Sequence, residues 1–370
     1  MTIRQSLQRR PARNFARKLA RRDALFEIGG GLCALSAAGS GLAAFARAAP
    51  APVHADMVRP PRLRNGDVLG LVAPAGFIAD RFGLDEIAAT VRAMGLEPRF
   101  APHLTTREGY LAGSDEERAR DLMAMFADDG VHGLMAVRGG WGSARLLPHL
   151  DFAAIARRPK LFAGFSDNTA LCLALARAGV VSIHGPNAAA SWPPAAWDSF
   201  RQVAFEAATP TYAVAAYAGP NLGGRASPVK TFRGGRARGR LLGGNLSVLS
   251  ALVGTPWLPD FDGAILFVEE TNESEYRIDR MLTQLALAGI LGKVAGVVFG
   301  QCTHCENPDG GYSNFTVYEV LERRLAELGV PAFQGAMIGH VAGQVSVPVG
   351  VMAEIDADAG TIRLLEAAVT

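Results

Sequence analysis

Between residues 67 and 183 the chain alternates short apolar runs with amphipathic stretches, and this rhythm narrows the fold more than any other feature. Residues 67–73 (DVLGLVA) form a continuous apolar run, as a strand buried on both faces requires. Residues 84–94 then carry Ile87, Val91 and Met94 at helical spacing. Ser114 with Glu117 three positions on is a capping box, which predicts a helix through Leu122, Met125 and Phe126 ending at Gly130. Strands are predicted over 134–137, 161–163 and 180–183, with helices over 143–147 and 167–178. Strand and helix in repeated alternation imply a parallel sheet with helices on its faces.

A Pro/Ala/Tyr-rich stretch over 188–225 breaks the rhythm, and the texture beyond it differs. A glycine-rich segment (238–245) leads to a strand (264–268) and a helix (277–288). A second strand (294–299) and helix (315–328) follow, then a hairpin over 347–365 turning at Asp358-Ala359-Gly360. The chain therefore reads as α/β: an N-terminal parallel-sheet domain (56–205), a linker (206–235) and a β-rich, barrel-like α/β domain (236–370).

The net charge of +2 averages two unlike parts. Residues 1–55 hold nine Lys/Arg against Asp23 and Glu27, leaving 28 basic and 33 acidic side chains for the rest. That acidic body is a poor partner for a phosphate backbone, so nucleic-acid binding is set aside. The basic leader ends in Arg21-Arg22 and is followed by a small-residue apolar stretch (28–46). Ala46-Arg47-Ala48 and Val53-His54-Ala55 both offer small-residue cleavage sites. Paired arginines ahead of a weakly apolar stretch resemble a twin-arginine export signal, which predicts a periplasmic protein with no permanent membrane span. An uncleaved N-terminal anchor is the competing reading.

Three segments put polar residues at the ends of apolar strands, where loops carry function on a rigid scaffold. In Gly164-Phe165-Ser166-Asp167-Asn168 a strand runs into a helix at a serine, as in a nucleophile elbow, with the Asp167 amide beside it as an oxyanion donor. The hydrolase elbow has glycine two positions after the serine, whereas Asn168 stands here, and Ser166 or Asp167 could instead cap the helix. The turn Arg138-Gly139-Gly140-Trp141-Gly142 lets backbone amides approach an anion, yet it matches neither the dinucleotide fingerprint nor the P-loop. Finally, Glu269-Glu270 ends an apolar strand, and His340 sits beside Gly339. Ser166, Glu269 and His340 together supply a nucleophile, an orienting carboxylate and a base, although spacing alone leaves open whether they meet.

These segments carry a family resemblance. VRGGWGSARLLPHLDF, GFSDNTAL, IHGPN, GRLLGGNLSVLSALVGTPWLP and ILFVEETNESEYRIDRMLTQL, with the segment from Ile338-Gly339-His340 to Pro348-Val349-Gly350, resemble the LD-carboxypeptidases acting on muramoyl tetrapeptides. The resemblance spans about 67–365. It implies a serine nucleophile at Ser166, completed by Glu269 (ranked ahead of its neighbour Glu270) and His340. It also implies an oxyanion hole from the Asp167 amide and those of Gly139 and Gly140, at the junction of two domains. The implied substrate is a murein peptide, cleaved before its terminal D-alanine without cofactor or metal. Arg138, Arg240 and Arg277 are the candidates for binding the substrate carboxylate, because a guanidinium pairs with it in bidentate fashion. Rival readings are a microcin C self-immunity-like hydrolase, with Trp192 or Trp197 as a wall for a nucleobase, and a non-catalytic muropeptide-binding module. A homodimer is left open.

Of the cysteines, Cys33 falls in the leader and Cys172 in an apolar helix. Cys302-Thr303-His304-Cys305 lacks the second pair a zinc site needs, and a local disulfide suits an oxidising compartment.

Overall fold

In the computed structural model, which describes residues 57–214, 229–305 and 314–370, the alternating first half folds as a parallel sheet. The export-signal segment and Cys33 lie outside the described residues. Strands β1 (Val68–Val72), β2 (Glu97–Phe100), β3 (Gly133–Ala136), β4 (Leu161–Ala163) and β5 (Ser182–His184) lie in the order β5-β4-β3-β1-β2, each parallel to its neighbour. Between them run α1 (Arg81–Ala93), α2 (Asp115–Ala127), α3 (Ser143–Leu146), α4 (Phe152–Arg157) and α5 (Thr169–Arg177). The capping box forms as read, with the Ser114 hydroxyl and Glu117 carboxylate each accepting the other's backbone N–H. The strand that the pattern did not signal, β2 (EPRF), is the sheet edge, where no double-sided burial imposes an apolar run.

The second half contributes α6 (Pro194–Ala204), β6 (Thr211–Ala213), β7 (Lys230–Arg233), β8 (Arg236–Asn245), α7 (Leu246–Ala251), β9 (Ile265–Thr271), α8 (Glu275–Leu287), β10 (Gly296–Thr303), α9 (Val317–Leu325), β11 (Ala332–Gln334), β12 (Val347–Val349), β13 (Met352–Asp356) and β14 (Thr361–Leu364). Its mixed sheet runs β6-β14-β13-β8-β9-β10-β11-β7. Among the described residues no pairing joins β6 to β7, so the barrel-like closure expected of this half does not form there. Both short end strands lie within the stretch read as a linker.

The glycine-rich segment is itself the long strand β8. Glycine is required there by close approach, since a Cβ on Gly243 would meet the Phe267 carbonyl oxygen at 1.7 Å and one on Gly239 the Gly263 oxygen at 2.2 Å. Beside it, Ile265, Leu266, Phe267 and Val268 of β9 are all at most 1% exposed, each worth about 1.5–3 kcal/mol of burial. The hairpin expected over 347–365 forms only between β13 and β14. β12 instead joins the first sheet, antiparallel to β5, because Gly350 takes φ +101° and turns the chain. The second half thus lends one strand to the first sheet, and all of this lies within one unit of the chain, 47–370.

Candidate active site

Ser166 lies just beyond β4, with φ +62°, one of four non-glycine residues in the left-handed region among those described. The strain of that conformation lifts the hydroxyl away from the sheet at the start of a 3₁₀ turn (Ser166–Asn168) leading into α5. Local contacts hold the turn. The Asn168 amide donates to the carbonyls of Phe165 (3.1 Å) and Arg138 (3.2 Å) and to the Asn187 side-chain oxygen (3.2 Å), which also accepts from the Phe165 N–H. Asparagine at this place therefore ties the elbow to the glycine turn and to the IHGPN segment, which a glycine could not do.

Asp167 does act as a cap, but for another helix. Its buried carboxylate accepts from the Ser143 N–H at 2.7 Å, at the start of α3, and its carbonyl accepts the Ser143 hydroxyl. Burial pushes the Asp167 carboxyl above its usual range. Buried Arg118 holds the other side of the glycine turn, donating to the carbonyls of Gly142 (3.0 Å) and Pro74. Position 139 is tight for anything larger than glycine, because a Cβ would lie 3.0 Å from Ser166 Cβ, 3.2 Å from its Oγ and 3.5 Å from the Asp167 nitrogen. Gly139, the Ser166 hydroxyl and the Asp167 amide thus border one small space, and Gly140 continues the turn at φ +128°.

Glu269 follows the apolar run of β9 and is fully buried. Its Oε2 lies 2.8 Å from His340 Nδ1, and His340 Nε2 lies 3.0 Å from Ser166 Oγ. A carboxylate only accepts, so Nδ1 donates to Glu269 and Nε2 is left to accept the serine proton. Gly339, at φ +109°, makes the approach possible: a Cβ there would sit 2.5 Å from Glu269 Oε2. The Phe165 ring flanks the imidazole, with centroids 4.9 Å apart. Glu270 points elsewhere. It accepts from the Ser247 N–H and hydroxyl (both 2.8 Å), the Thr271 N–H (2.9 Å) and the Asn245 amide (3.1 Å), and its carboxyl is pushed up by burial. The adjacent carboxylates are thus separated by geometry: one faces the imidazole, the other secures α7.

The three arginines differ. Arg138, exposed at the glycine turn, makes no ion pair among the described residues, and its one side-chain hydrogen bond there is a long one (3.4 Å) to the Phe77 carbonyl. Arg277, near the start of α8, is engaged by Glu273 and the Tyr276 hydroxyl. Arg240 does not belong to this site. Asn245, not Arg240, is level with Glu269 in the β8–β9 register, so Arg240 lies five residues, about 16 Å, down the strand. It donates there to the Gly350 carbonyl (2.9 Å) and lies 3.6 Å from Glu366. Trp192 and Trp197, both partly buried, pack in an aromatic cluster with Phe200, and Trp197 also meets Phe205.

Residues that sequence reasoning passed over include Arg118, Asn168 and His184. His184 is wholly buried, its ring meets Phe165 and Phe267, and burial pulls its pKa down to about 4. Among the described residues no group of three His, Cys, Asp or Glu side chains could hold a metal ion, and Cys302 and Cys305 form a disulfide. No helix of the described residues is long and apolar enough to cross a membrane.

Comparison with known proteins gives a consistent answer. Residues 69–185 match the model of the LD-carboxypeptidase N-terminal domain and 238–355 that of its C-terminal domain. A probable murein peptide carboxypeptidase of Bacillus subtilis is 34% identical over 304 residues, covering 80% of this chain and 91% of that one. The crystal structure of a muramoyltetrapeptide carboxypeptidase from Oxalobacter formigenes matches with a TM-score of 0.69 at 30% identity, over 80% of this chain and 97% of that one. The microcin C7 self-immunity protein MccF, in its wild-type apo state, matches with a TM-score of 0.75 over 85% of this chain and all of its own. At 24% identity that last likeness is one of fold.

Proposed function

The chain belongs to the LD-carboxypeptidase family, and on that premise we propose that it is a serine carboxypeptidase that cleaves the amide bond before the terminal D-alanine of murein tetrapeptides. The observation that carries this reading is the unbroken relay from Glu269 through His340 to Ser166, at 2.8 and 3.0 Å.

A serine hydroxyl is a weak nucleophile at neutral pH and needs a base to take its proton as it attacks. His340 Nε2 accepts that proton, while Glu269, buried against Nδ1, fixes the tautomer and stabilises the imidazolium that forms. The carbonyl oxygen becomes an oxyanion in the space bordered by Gly139 and the Asp167 amide, each donor there contributing about 3 kcal/mol to lowering the barrier. His340 then protonates the departing D-alanine amine, and water, deprotonated by the same imidazole, hydrolyses the acyl-enzyme. Arg138, which among the described residues has no carboxylate partner at the rim of this turn, is the arginine we assign to the substrate's terminal carboxylate. The disulfide, with the twin-arginine-like leader, supports a periplasmic site of action on cell-wall peptides.

The test is incubation of the purified protein with murein tetrapeptide and detection of free D-alanine. Release is expected from the parent chain, with a loss of about 10⁴-fold or more in the Ser166→Ala variant. Equal turnover by that variant would refute the nucleophile, and absence of release from the parent chain would refute the substrate.

A further inference from the structure

The machinery just described does not use the last residues of β10, yet they grip the loop that carries His340. The Gln301 N–H donates to the Ile338 carbonyl (3.0 Å), its side-chain amide donates to the Gly335 carbonyl (2.8 Å), and the Thr303 hydroxyl donates to the carbonyl of His340 itself (3.1 Å). Thr303 also faces the other way. Its carbonyl accepts from the Asn272 N–H (2.9 Å) and the Thr271 hydroxyl (3.1 Å), at the end of the strand that bears Glu269. One residue thus brackets both segments whose side chains form the Glu269–His340 pair.

The position of Thr303 is in turn closed covalently. Cys302 and Cys305 are joined across it, with His304 at φ +56° completing the tight loop and Cys305 buried. A strand end ordinarily frays; here a four-residue ring closes it.

We propose that Thr303 is a positioning residue for His340 and that the Cys302–Cys305 disulfide holds it there, so that the enzyme works in its oxidised form and is slowed by dithiols. The inference rests on His340 acting as the base of the proposed reaction. Reduction breaks the S–S bond: a dithiol gives up two electrons and two protons, becomes a cyclic disulfide, and leaves two cysteine thiols. The loop then frays, Thr303 releases the His340 carbonyl, and the imidazole drifts from both Glu269 and Ser166. Among the described residues the other cysteine, Cys172, is buried and unpaired, so a dithiol has one disulfide to act on there.

The test compares the full-length oxidised chain before and after dithiothreitol, with thiol counting to verify reduction. Reduction is expected to lower kcat for tetrapeptide hydrolysis about tenfold or more with KM little changed, and to move the acid limb of the pH–rate profile. Thr303→Val should reproduce that loss and that shift in the oxidised protein, while Thr303→Ser, which keeps the hydroxyl, should restore both. The Cys302→Ser/Cys305→Ser double variant should be slow from the outset and indifferent to dithiol. Full activity in the verified reduced protein would overturn the proposal. So would a Thr303→Val loss that is uniform with pH and matched by a fall in Tm. Should the chain release no D-alanine at all, the imidazole C–H resonance of His340, identified with a His340→Gln variant, gives an answer independent of substrate. Its titration midpoint must move on reduction, and an unmoved midpoint overturns the proposal whatever the substrate is.

Discussion

Ser166 and the Glu269–His340 pair meet at one point, but they are brought there by different kinds of order. The serine is posed from shorter range, within the first sheet: its left-handed backbone, the Asn168 amide and the Asp167 cap on α3 draw on β4 and on loops no more than 30 residues away. Glu269 and His340 are 71 residues apart, and their 2.8 Å contact exists only because β9, β10 and a glycine-bearing loop pack together in the second half of the chain. A local turn keeps its shape when distant packing is disturbed; a pair assembled across strands does not. Side chains on the relay half should therefore be sensitive to small displacements, whereas the elbow should persist.

The sharpest way to break the symmetry is to treat the two neighbouring glutamates alike. Glu269→Gln keeps shape but lets the wrong imidazole tautomer form, so kcat is expected to fall about 10⁴-fold with Tm near the parent value. Glu270→Gln places an NH₂ among the N–H and O–H donors of Asn245, Ser247 and Thr271. That leaves buried donors without acceptors at about 1–3 kcal/mol each, so Tm falls while the relay stays assembled. Kinetics and thermal melts on the two variants decide the matter, and a reversed pattern would mean that Glu270 is the partner of the imidazole.

A smaller effect is expected from Gly339→Ala. The position sits at φ +109° and its Cβ would press on Glu269 Oε2 and Cβ at 2.5 and 2.7 Å, so the carboxylate or the histidine loop must shift by several tenths of an ångström. Misplacement on that scale is expected to reduce kcat about 10²-fold with KM little changed. Parent-like kcat in a folded variant would show that the relay half tolerates movement after all.

This contrast also explains what could be read from the sequence. The parallel sheet and the capping box are local patterns, so most elements of residues 67–183 were legible directly, while Ser166, Glu269 and His340 stood out as polar residues at strand ends and took their roles from the resemblance. Register is not a local property. Arg240 looked available for a substrate carboxylate because nothing in the sequence states that β8 aligns Asn245, rather than Arg240, with Glu269. The same blindness misjudged residues 347–349, which leave their expected hairpin for the first sheet, and left the glycine-rich segment 238–245 without an element, although its glycines mark close backbone approach in β8. His184 went unnoticed for a different reason: its character comes from complete burial beside Phe165 and Phe267, which only the assembled sheets create.

His184 supplies the finest test of the division, since it lies in β5 of the first sheet, near the relay but outside it. Burial holds its pKa at about 4, against an ordinary value of 6.5, so the folded protein keeps it neutral while the unfolded chain binds a proton. Between those values the unfolded state takes up more protons, and stability must fall as pH drops from about 6.5 towards 4, by up to about 3 kcal/mol. His184→Leu removes that proton-binding difference. Its packing cost is common to all pH values, so it cancels when unfolding free energies at pH 7.5 and pH 4.5 are subtracted for each protein. The expected result is a smaller acid loss in His184→Leu, with kcat at neutral pH nearly unchanged because the neutral ring makes no hydrogen bond to the relay. An equal acid loss in both proteins would mean that this strand carries no titration of its own. A large drop in kcat would draw β5 into the relay and dissolve the division between a locally posed nucleophile and a remotely assembled base.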